Sequence, residues 1–203
     1  MYCYEVFGSL GIPQLKQLTI RAFFYLFFYI IPLYYMLICG RSAVGTGALH
    51  MFIMRTVVFE DITAIREFVF RNLGEDYQPE VLWHLISSWS DGAFIVQKSN
   101  TIVGFFLAVR QIATEARILL FAVEPENRNR GIGTSMMKHF MDVCSNKGIQ
   151  SVSLEVRISN IRAIAFYMRF GFIINSVLKR YYTDGEDGYL MRKILPDRIS
   201  RDC

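Results

Sequence analysis

The chain has 203 residues, of which 53% are hydrophobic and 20% are charged, and its formal net charge at pH 7 is +4. That length allows one sizeable domain with its own hydrophobic core, and the small positive excess gives no indication of nucleic-acid binding, which needs clustered Lys and Arg. Four scattered cysteines without a CxxC pair predict no disulfide framework and fit a reducing compartment such as the cytoplasm.

An uncharged hydrophobic segment covers residues 22–39. As a helix its 18 residues would span about 27 Å, close to the roughly 30 Å hydrocarbon core of a bilayer. Three interpretations are open: a membrane-spanning helix kinked at Pro32, a signal peptide, or upstream sequence translated before a start at Met51 or Met54. We expect residues 1–50 to be an extension that the following domain does not need, with a membrane anchor as the alternative.

Beyond residue 51 the hydrophobic pattern alternates between strands and helices, without internal repeats. The predicted strands are Phe52–Val57, Ala93–Val96, Ile102–Val109, Arg117–Val123, Ser151–Val156, Phe172–Tyr181 and Tyr189–Lys193. The predicted helices are Asp61–Asn72, Val81–Trp89, Gly131–Cys144 and Asn160–Arg169. Early antiparallel strands followed by a β-α-β-α order predict a mixed α/β fold, in which a mostly antiparallel sheet carries helices on both faces. We expect this domain to occupy residues 51–197, followed by a tail at 198–203.

Two of the predicted helices show which side they bury, because their apolar residues recur at helical spacing. The first helix carries such a stripe at Ile62, Ile65, Phe68 and Val69. The third repeats apolar residues at every fourth position, namely Ile132, Met136, Phe140 and Cys144. Both stripes predict packing against the sheet.

The strongest chemical signal lies where a predicted strand ends and a helix begins, in the pattern Arg128-x-x-Gly131-x-Gly133. Glycines at a helix N-terminus let a ligand approach unpaired N–H groups, and these groups together with the helix dipole favour anions. Arg128 and Arg130 add positive charge. The pattern predicts a pyrophosphate-binding site, although a tight turn without a ligand would also explain the glycines.

In this context the pattern resembles the acetyl-CoA loop of the GNAT acetyltransferase superfamily, and the stretch Leu154–Phe172 resembles the segment that follows it in that family. Residues 72–78 are similar to the NLPENY loop, and residues 181–189 to the YY-x-DGEDAY hairpin, of the enzymes that acetylate protein N-termini. Gly74 stands where that loop usually has proline. The resemblance extends from about Met51 to about Lys193. It implies the GNAT fold, acetyl-CoA as co-substrate and a protein N-terminus as acceptor, as in the ribosomal-protein alanine acetyltransferases.

Glu155 is the candidate general base, in the position that the resemblance assigns to the base of the ribosomal-protein enzymes. Strand alternation should point it away from the face of Leu154 and Val156. An α-amine titrates near 8, so it needs only modest help to lose its proton. The alternative is a structural carboxylate paired with Arg157 or with another arginine.

Tyr167 is the candidate acid, since the resemblance implies that this phenol protonates the departing thiolate. Asn160 and Tyr167 lie seven residues apart on one helical face, with the small Ala163 between them, and this face suits a long thin ligand. The alternatives are a packed core tyrosine and an asparagine that serves only as an N-cap. No nucleophilic serine or cysteine motif is present, which fits direct attack without a covalent enzyme intermediate.

The resemblance also assigns binding residues. Those expected to contact acetyl-CoA are Phe121, Ala122, Val123, Arg128, Asn129, Arg130, Gly131, Ile132, Gly133, Thr134, Asn160 and Tyr167. The Val123 N–H should polarise the thioester carbonyl where its strand splays from the neighbouring one. Those expected to contact the peptide are Glu75, Tyr77, Tyr181 and Tyr182, with ordinary surface packing as the alternative. No metal is expected, because the histidines lack ligand spacing and residues 184–188 fit a hairpin turn better than a calcium loop.

Two other functions remain open. A small-molecule amine acetyltransferase would use the same chemistry, although the tyrosine-rich hairpin favours a peptide. A non-catalytic acyl-CoA-binding membrane adaptor would use residues 22–39 as its functional part, but binding requires neither Glu155 nor Tyr167. We expect a cytoplasmic protein, with a membrane partner only if that segment is an anchor. If the segment spanned a membrane, the charges around it would place the domain on the side that lacks acetyl-CoA, and the cytoplasmic interpretation is favoured for this reason.

Overall fold

The computed structural model describes residues 52–196. The predicted N-terminal extension, the hydrophobic segment 22–39 and the tail 198–203 therefore lie outside the described residues. Within 52–196, no helix combines the length and the apolar character needed to cross a membrane.

Residues 52–196 form seven strands and four α-helices. The strands are β1 (Phe52–Thr56), β2 (Ala93–Lys98), β3 (Thr101–Ile112), β4 (Glu115–Val123), β5 (Ser151–Arg157), β6 (Ile173–Leu178) and β7 (Gly188–Ile194). The helices are α1 (Ile62–Leu73), α2 (Pro79–Ser88), α3 (Ile132–Asn146) and α4 (Ile161–Arg169). Every predicted element is present, and most bounds differ by only a few residues.

The strands form one sheet in the order β1-β2-β3-β4-β5-β7-β6. Neighbouring strands are antiparallel except for β4 and β5, which are parallel. The β2–β3 hairpin turns at Ser99 and Asn100, whose φ angles of 48° and 65° match the left-handed turns that suit strand twist. The mixed, mostly antiparallel sheet predicted from the sequence is confirmed.

Helices cover both faces of this sheet and enclose two hydrophobic clusters. The α1 stripe at Ile62, Ile65, Phe68 and Val69 is buried with α2 and with alternate strand residues such as Ile95. The α3 stripe at Ile132, Met136, Phe140 and Cys144 is buried with α4 and with the intervening strand residues, such as Phe94. Because successive strand residues face opposite sides, the two clusters lie on opposite faces, and both predicted stripes are confirmed.

The largest differences from the sequence-based bounds are at β3, which continues to Ile112 rather than ending at Val109, and at β6, which ends at Leu178 rather than at residue 181. Asp187 pairs with Lys179 Nζ at 2.7 Å and accepts a hydrogen bond from the Arg180 N–H at 2.8 Å. Arg180 has a φ of 50°, so the chain leaves the extended conformation there. The strand therefore ends where a carboxylate from the other side of the same hairpin binds the backbone, and the hydrophobic pattern alone does not reveal this contact.

Candidate active site

The site is built around a gap between β4 and β5. The two strands pair only from Glu115↔Ser151 to Ile118↔Leu154. On the other side of β4, the register with β3 shifts so that Leu107 faces Leu120 and Ala108 faces Ile118, which leaves one extra residue in β4. Such a bulge bends its strand. The rest of β4 consequently diverges from β5, as the resemblance implied.

The backbone of Val123 points into this gap. Val123 is opposite Gly104 on β3, and the adjacent Glu124 N–H donates to Val103 O at 2.9 Å. That bond makes Val123 and Gly104 a non-hydrogen-bonded pair, in which the N–H and C=O groups point away from the partner strand. The Val123 N–H is therefore directed toward β5 at a level where β5 no longer pairs with β4.

The loop before α3 presents free amides at the end of the same strand. Asn129 and Gly131 have φ angles of 60° and 82°, and the first helical bond runs from the Ser135 N–H to Gly131 O at 2.9 Å. The amides of the first turn consequently lack acceptors within the helix. A Cβ added at Gly131 would meet nothing within 4 Å. These open N–H groups suit the pyrophosphate of a nucleotide-like ligand.

Two arginines fix the shape of this loop. Arg128 Nε donates to Val123 O at 2.8 Å, so the loop is tied to the end of β4. Arg162, in the first turn of α4, donates from Nη2 to Asn129 Oδ1 at 2.8 Å. The loop, the strand end and the helix α4 thus share one hydrogen-bonded arrangement.

Tyr167 lies on α4 at the side of the gap. It is only 9% exposed, and its ring packs against Phe121, in the diverging part of β4, and against Phe166 and Phe172. No residue in 52–196 hydrogen-bonds its hydroxyl. Burial raises the pKa of Tyr167, and the neighbouring Tyr182 raises it further. The phenol therefore stays protonated at neutral pH.

Asn160 caps α4, because its Oδ1 accepts a hydrogen bond from the Ala163 N–H at 3.1 Å. The N-cap, which the sequence offered as the alternative role of this residue, is present, and the Asn160 side chain is exposed to solvent. Its amide nitrogen remains available to a ligand lying along the helix.

Glu155 is the first residue of β5 beyond the segment that pairs with β4. Leu154 and Val156 are buried in the same cluster as Tyr167, so Glu155 faces the opposite side of the sheet, as predicted. Its carboxylate Oε2 accepts from Arg117 Nε at 2.9 Å and lies 2.8 Å from Arg117 Nη2. The pairing is with another arginine and not with Arg157. Glu155 and Tyr167 consequently approach the gap from opposite faces.

Arg157 instead holds the hairpin between β6 and β7. Its Nη1 donates at 2.7 Å to both Asp184 Oδ2 and Glu186 Oε2, and its guanidinium carbon lies 4.0 Å from the centre of the Tyr182 ring. The acidic residues of this loop therefore have basic partners, and these ion pairs stabilise the loop as a hairpin turn.

The residues expected to contact a peptide form two contacting pairs, one in each of two loops. Tyr77 donates from its hydroxyl to Glu75 Oε2 at 2.5 Å, and the ring centres of Tyr181 and Tyr182 are 5.2 Å apart. Burial raises the pKa of Tyr77, with further contributions from Glu75 and from Tyr181. The Tyr181 contribution indicates that the α1–α2 loop and the β6–β7 hairpin are within electrostatic reach of each other.

Tyr182 connects these residues to the gap. Burial raises the pKa of Tyr182 to about 12; Arg157 lowers it, while Tyr181 and Glu155 raise it. Because Tyr182 also acts on the pKa of Tyr167, its phenol lies within electrostatic reach of both the carboxylate and the buried tyrosine.

Three residues of the site were not identified from the sequence. Arg117 and Arg162 make the contacts described above, and Phe166 lies under the α3 N-terminus, 3.7 Å from a Cβ built on Gly133. Of these three residues, only Arg117 has a sequence feature that could have identified it. It is the single charge within the otherwise apolar stretch from Arg117 to Val123, and a charge in such a strand requires a partner.

Comparison with known proteins agrees with this arrangement. Residues 59–172 match the family described as the acetyltransferase (GNAT) family. The chain is 31% identical to an N-alpha-acetyltransferase of Saccharolobus solfataricus over an alignment of 156 residues, which covers 71% of this chain and 93% of the relative. It is 30% identical to the ribosomal protein bS18 alanine N-acetyltransferase of Escherichia coli over an alignment of 116 residues, which covers 51% of this chain and 78% of the relative.

Among solved structures, Ard1 from Thermoplasma volcanium is similar, with a TM-score of 0.66 and 34% identity, covering 72% of this chain and 99% of that one. The fold and the gap define an acyl-transferring enzyme. The chain belongs to the GNAT acetyltransferase family, and it is an N-acetyltransferase that uses acetyl-CoA as its acetyl donor.

Proposed function

We propose that this enzyme transfers acetyl from acetyl-CoA to the α-amino group at the N-terminus of a protein or peptide. The observation that carries the proposal is the end of β4–β5 pairing at Ile118↔Leu154. It opens a gap bordered by the carboxylate of Glu155 on one face and the phenol of Tyr167 on the other. The names of the two relatives, an N-alpha-acetyltransferase and a ribosomal-protein alanine acetyltransferase, support this choice of acceptor.

The donor's pyrophosphate is assigned to the loop and first turn of α3, with Arg128–Thr134 as its binding residues. The open amides after Gly131 and the side chains of Arg128 and Arg130 supply donors and positive charge. Phe121–Val123 supply backbone groups along the gap, and Asn160 supplies a side-chain amide. This ordered set of donors suits a ligand with phosphates at one end and an amide-containing arm at the other.

Glu155 takes the proton from the attacking amine, directly or through one water molecule. Its Oε2 is held by Arg117, whereas its Oε1 has no hydrogen-bond partner within 52–196. A free oxygen on a fixed carboxylate is what a positioned base requires. An α-amine titrating near 8 can reach its neutral form with this modest assistance.

Val123 and Tyr167 act on the other side of the reaction. The Val123 N–H donates to the carbonyl oxygen as its negative charge develops. As the bond from nitrogen to the carbonyl carbon forms and the bond from carbon to sulfur breaks, the Tyr167 hydroxyl donates its proton to the sulfur. Its raised pKa, which results from burial, keeps that proton available throughout the neutral range.

Peptide selection is assigned to the groove formed by Glu75, Tyr77, Tyr181 and Tyr182. The ring contact between Tyr181 and Tyr182 and the bond between Tyr77 and Glu75 support it. Flat aromatic walls with polar tips pack against an extended main chain while hydrogen-bonding it.

The decisive experiment incubates the protein with acetyl-CoA and three acceptor sets, and measures mass gain. The sets are peptides with free N-termini, the same peptides with blocked N-termini and a free lysine, and small amines. We expect kcat/KM to be highest for free N-termini.

Glu155→Gln should lower kcat by about 10²–10⁴-fold if the carboxylate is the base. A preference for lysine or small amines would reject the proposed acceptor, and normal turnover of Glu155→Gln would reject the base.

A further inference from the structure

Arg117 joins three parts of the candidate site through one guanidinium group. It lies on β4 opposite Ser153 of β5, and Glu155 is two residues further along the same face of β5. Arg117 Nε and Nη2 both reach Glu155 Oε2, while Nη2 also donates to the Tyr181 hydroxyl at 3.0 Å. One side chain thereby connects β4, β5 and the β6–β7 hairpin.

These contacts lie in a partly desolvated place. The side chains of Arg117 and Glu155 are 30% and 13% exposed, so the pair is less screened by water than an ordinary surface ion pair. The planar guanidinium can hold two acceptors at fixed angles. Because Oε2 is engaged, the carboxylate has a fixed orientation, and because Nη2 is shared, that orientation depends on the position of Tyr181.

We propose that Arg117 is a positioning residue that couples the orientation of Glu155 to the position of Tyr181. This inference rests on the proposed function, in which Glu155 is the base and Tyr181 contacts the peptide. A peptide that packs against Tyr181 then acts, through Arg117, on the carboxylate that receives its proton. Substrate binding and the alignment of the base are linked by one residue that contacts neither the donor nor the transferred group.

The same face of the sheet contains a matched control. Arg192 on β7 donates from Nη2 to Glu115 Oε1 and to Ser151 Oγ, so it also joins three elements through an arginine–glutamate pair. Glu115 and Ser151 lie where β4 and β5 are still paired, away from the gap. Arg192→Gln removes an arginine–glutamate pair of the same type, with exposed fractions of 41% and 36%, and leaves the contacts of Glu155 and Tyr181 in place.

The experiment measures kcat, KM for acetyl-CoA, KM for peptide and thermal stability in Arg117→Gln and Arg192→Gln. Misalignment of a catalytic group by about 1 Å can cost about 100-fold, so we expect kcat of Arg117→Gln to fall by about 10- to 100-fold. Its KM for acetyl-CoA should stay the same. Arg192→Gln should lose no more stability than Arg117→Gln, because its ion pair is more exposed, and should keep a normal kcat. Equal kcat values in the two variants would overturn the inference.

A double-mutant cycle with Tyr181→Phe tests the coupling itself. If Arg117 links the two residues, Tyr181→Phe should lower kcat/KM in the wild-type protein and have little further effect in Arg117→Gln. Additive effects would overturn the coupling. Should Arg117→Gln not fold, Arg117→Lys replaces it, because lysine retains the charge but cannot hold both acceptors in the fixed geometry; wild-type kcat in Arg117→Lys would equally overturn it.

Wild-type activity separates this inference from the proposed function. If the wild-type protein acetylates no peptide N-terminus, the proposed function fails and the inference fails with it. If it does so and Arg117→Gln is equally active, only the role of Arg117 is rejected.

Discussion

Replacing Tyr167 with phenylalanine separates proton donation from packing, because it removes one oxygen and keeps the ring. The ring contacts with Phe121, Phe166 and Phe172 remain. The hydroxyl has no hydrogen-bond partner within 52–196, so its loss leaves no other polar group unpaired. We therefore expect the stability of Tyr167→Phe to change by no more than about 1 kcal/mol.

The effect on turnover should be much larger. Proton donation by a positioned side chain contributes about 10²–10⁴-fold to a rate, which corresponds to about 2.7–5.4 kcal/mol of activation free energy. We expect kcat of Tyr167→Phe to fall within that range while the Kd for acetyl-CoA stays within about threefold, since one neutral hydroxyl contributes little to binding. Turnover is followed by release of the free thiol, and binding by calorimetry.

Tyr189→Phe is the matched control, because Tyr189 on β7 packs against the same hydrophobic cluster and has no assigned role in the reaction. Its kcat should equal that of the wild type. A Tyr167→Phe enzyme with normal kcat would remove Tyr167 as the acid. A Tyr167→Phe enzyme that loses acetyl-CoA binding instead would assign the hydroxyl to the donor site.

Two further predictions concern the donor site and pH. Gly131→Asp should abolish acetyl-CoA binding, since it adds an anion where the phosphates are expected. Gly148→Asp is its control, because Gly148 follows the other end of α3 with a similar positive φ and equally open space. Equal acetyl-CoA binding by both variants would contradict the assignment. Burial raises the pKa of both Tyr77 and Tyr167 above 10, so the stability that their neutral forms contribute is complete below pH 10 and is lost as the pH rises above it. Thermal unfolding at about pH 8 and about pH 11 should show a smaller decrease in Tm for Tyr167→Phe than for the wild type, and identical decreases would refute this effect.

The elements of the domain could be predicted because their signals are local. The stripes of α1 and α3 follow from helical periodicity, and the buried face of each was confirmed residue by residue. The left-handed φ of Gly131 is likewise predictable locally, because glycine is the residue that adopts this conformation without steric cost. The glycine turn before α3 and the N-cap at Asn160 depend on the same kind of local signal.

The arrangement of the site could not be predicted in the same way, because it depends on pairing between distant residues. Whether Glu155 pairs with Arg157, two residues away, or with Arg117, on another strand, is decided by the register of β4 against β5. Strand alternation places Arg117, Glu155 and Arg157 on one face, but it does not say which guanidinium reaches which carboxylate.

The sequence by itself therefore determined the order of the elements, their buried faces and the position of the glycine turn that begins α3. Only the tertiary structure decided that β4 carries an extra residue near Leu119, that the strands diverge beyond Leu154, and that Glu155 and Tyr167 reach the gap from opposite faces. The physical reason is that periodicity and turn chemistry act over a few neighbouring residues, whereas a bulge, a strand register and a shared guanidinium are settled by contacts across the whole sheet.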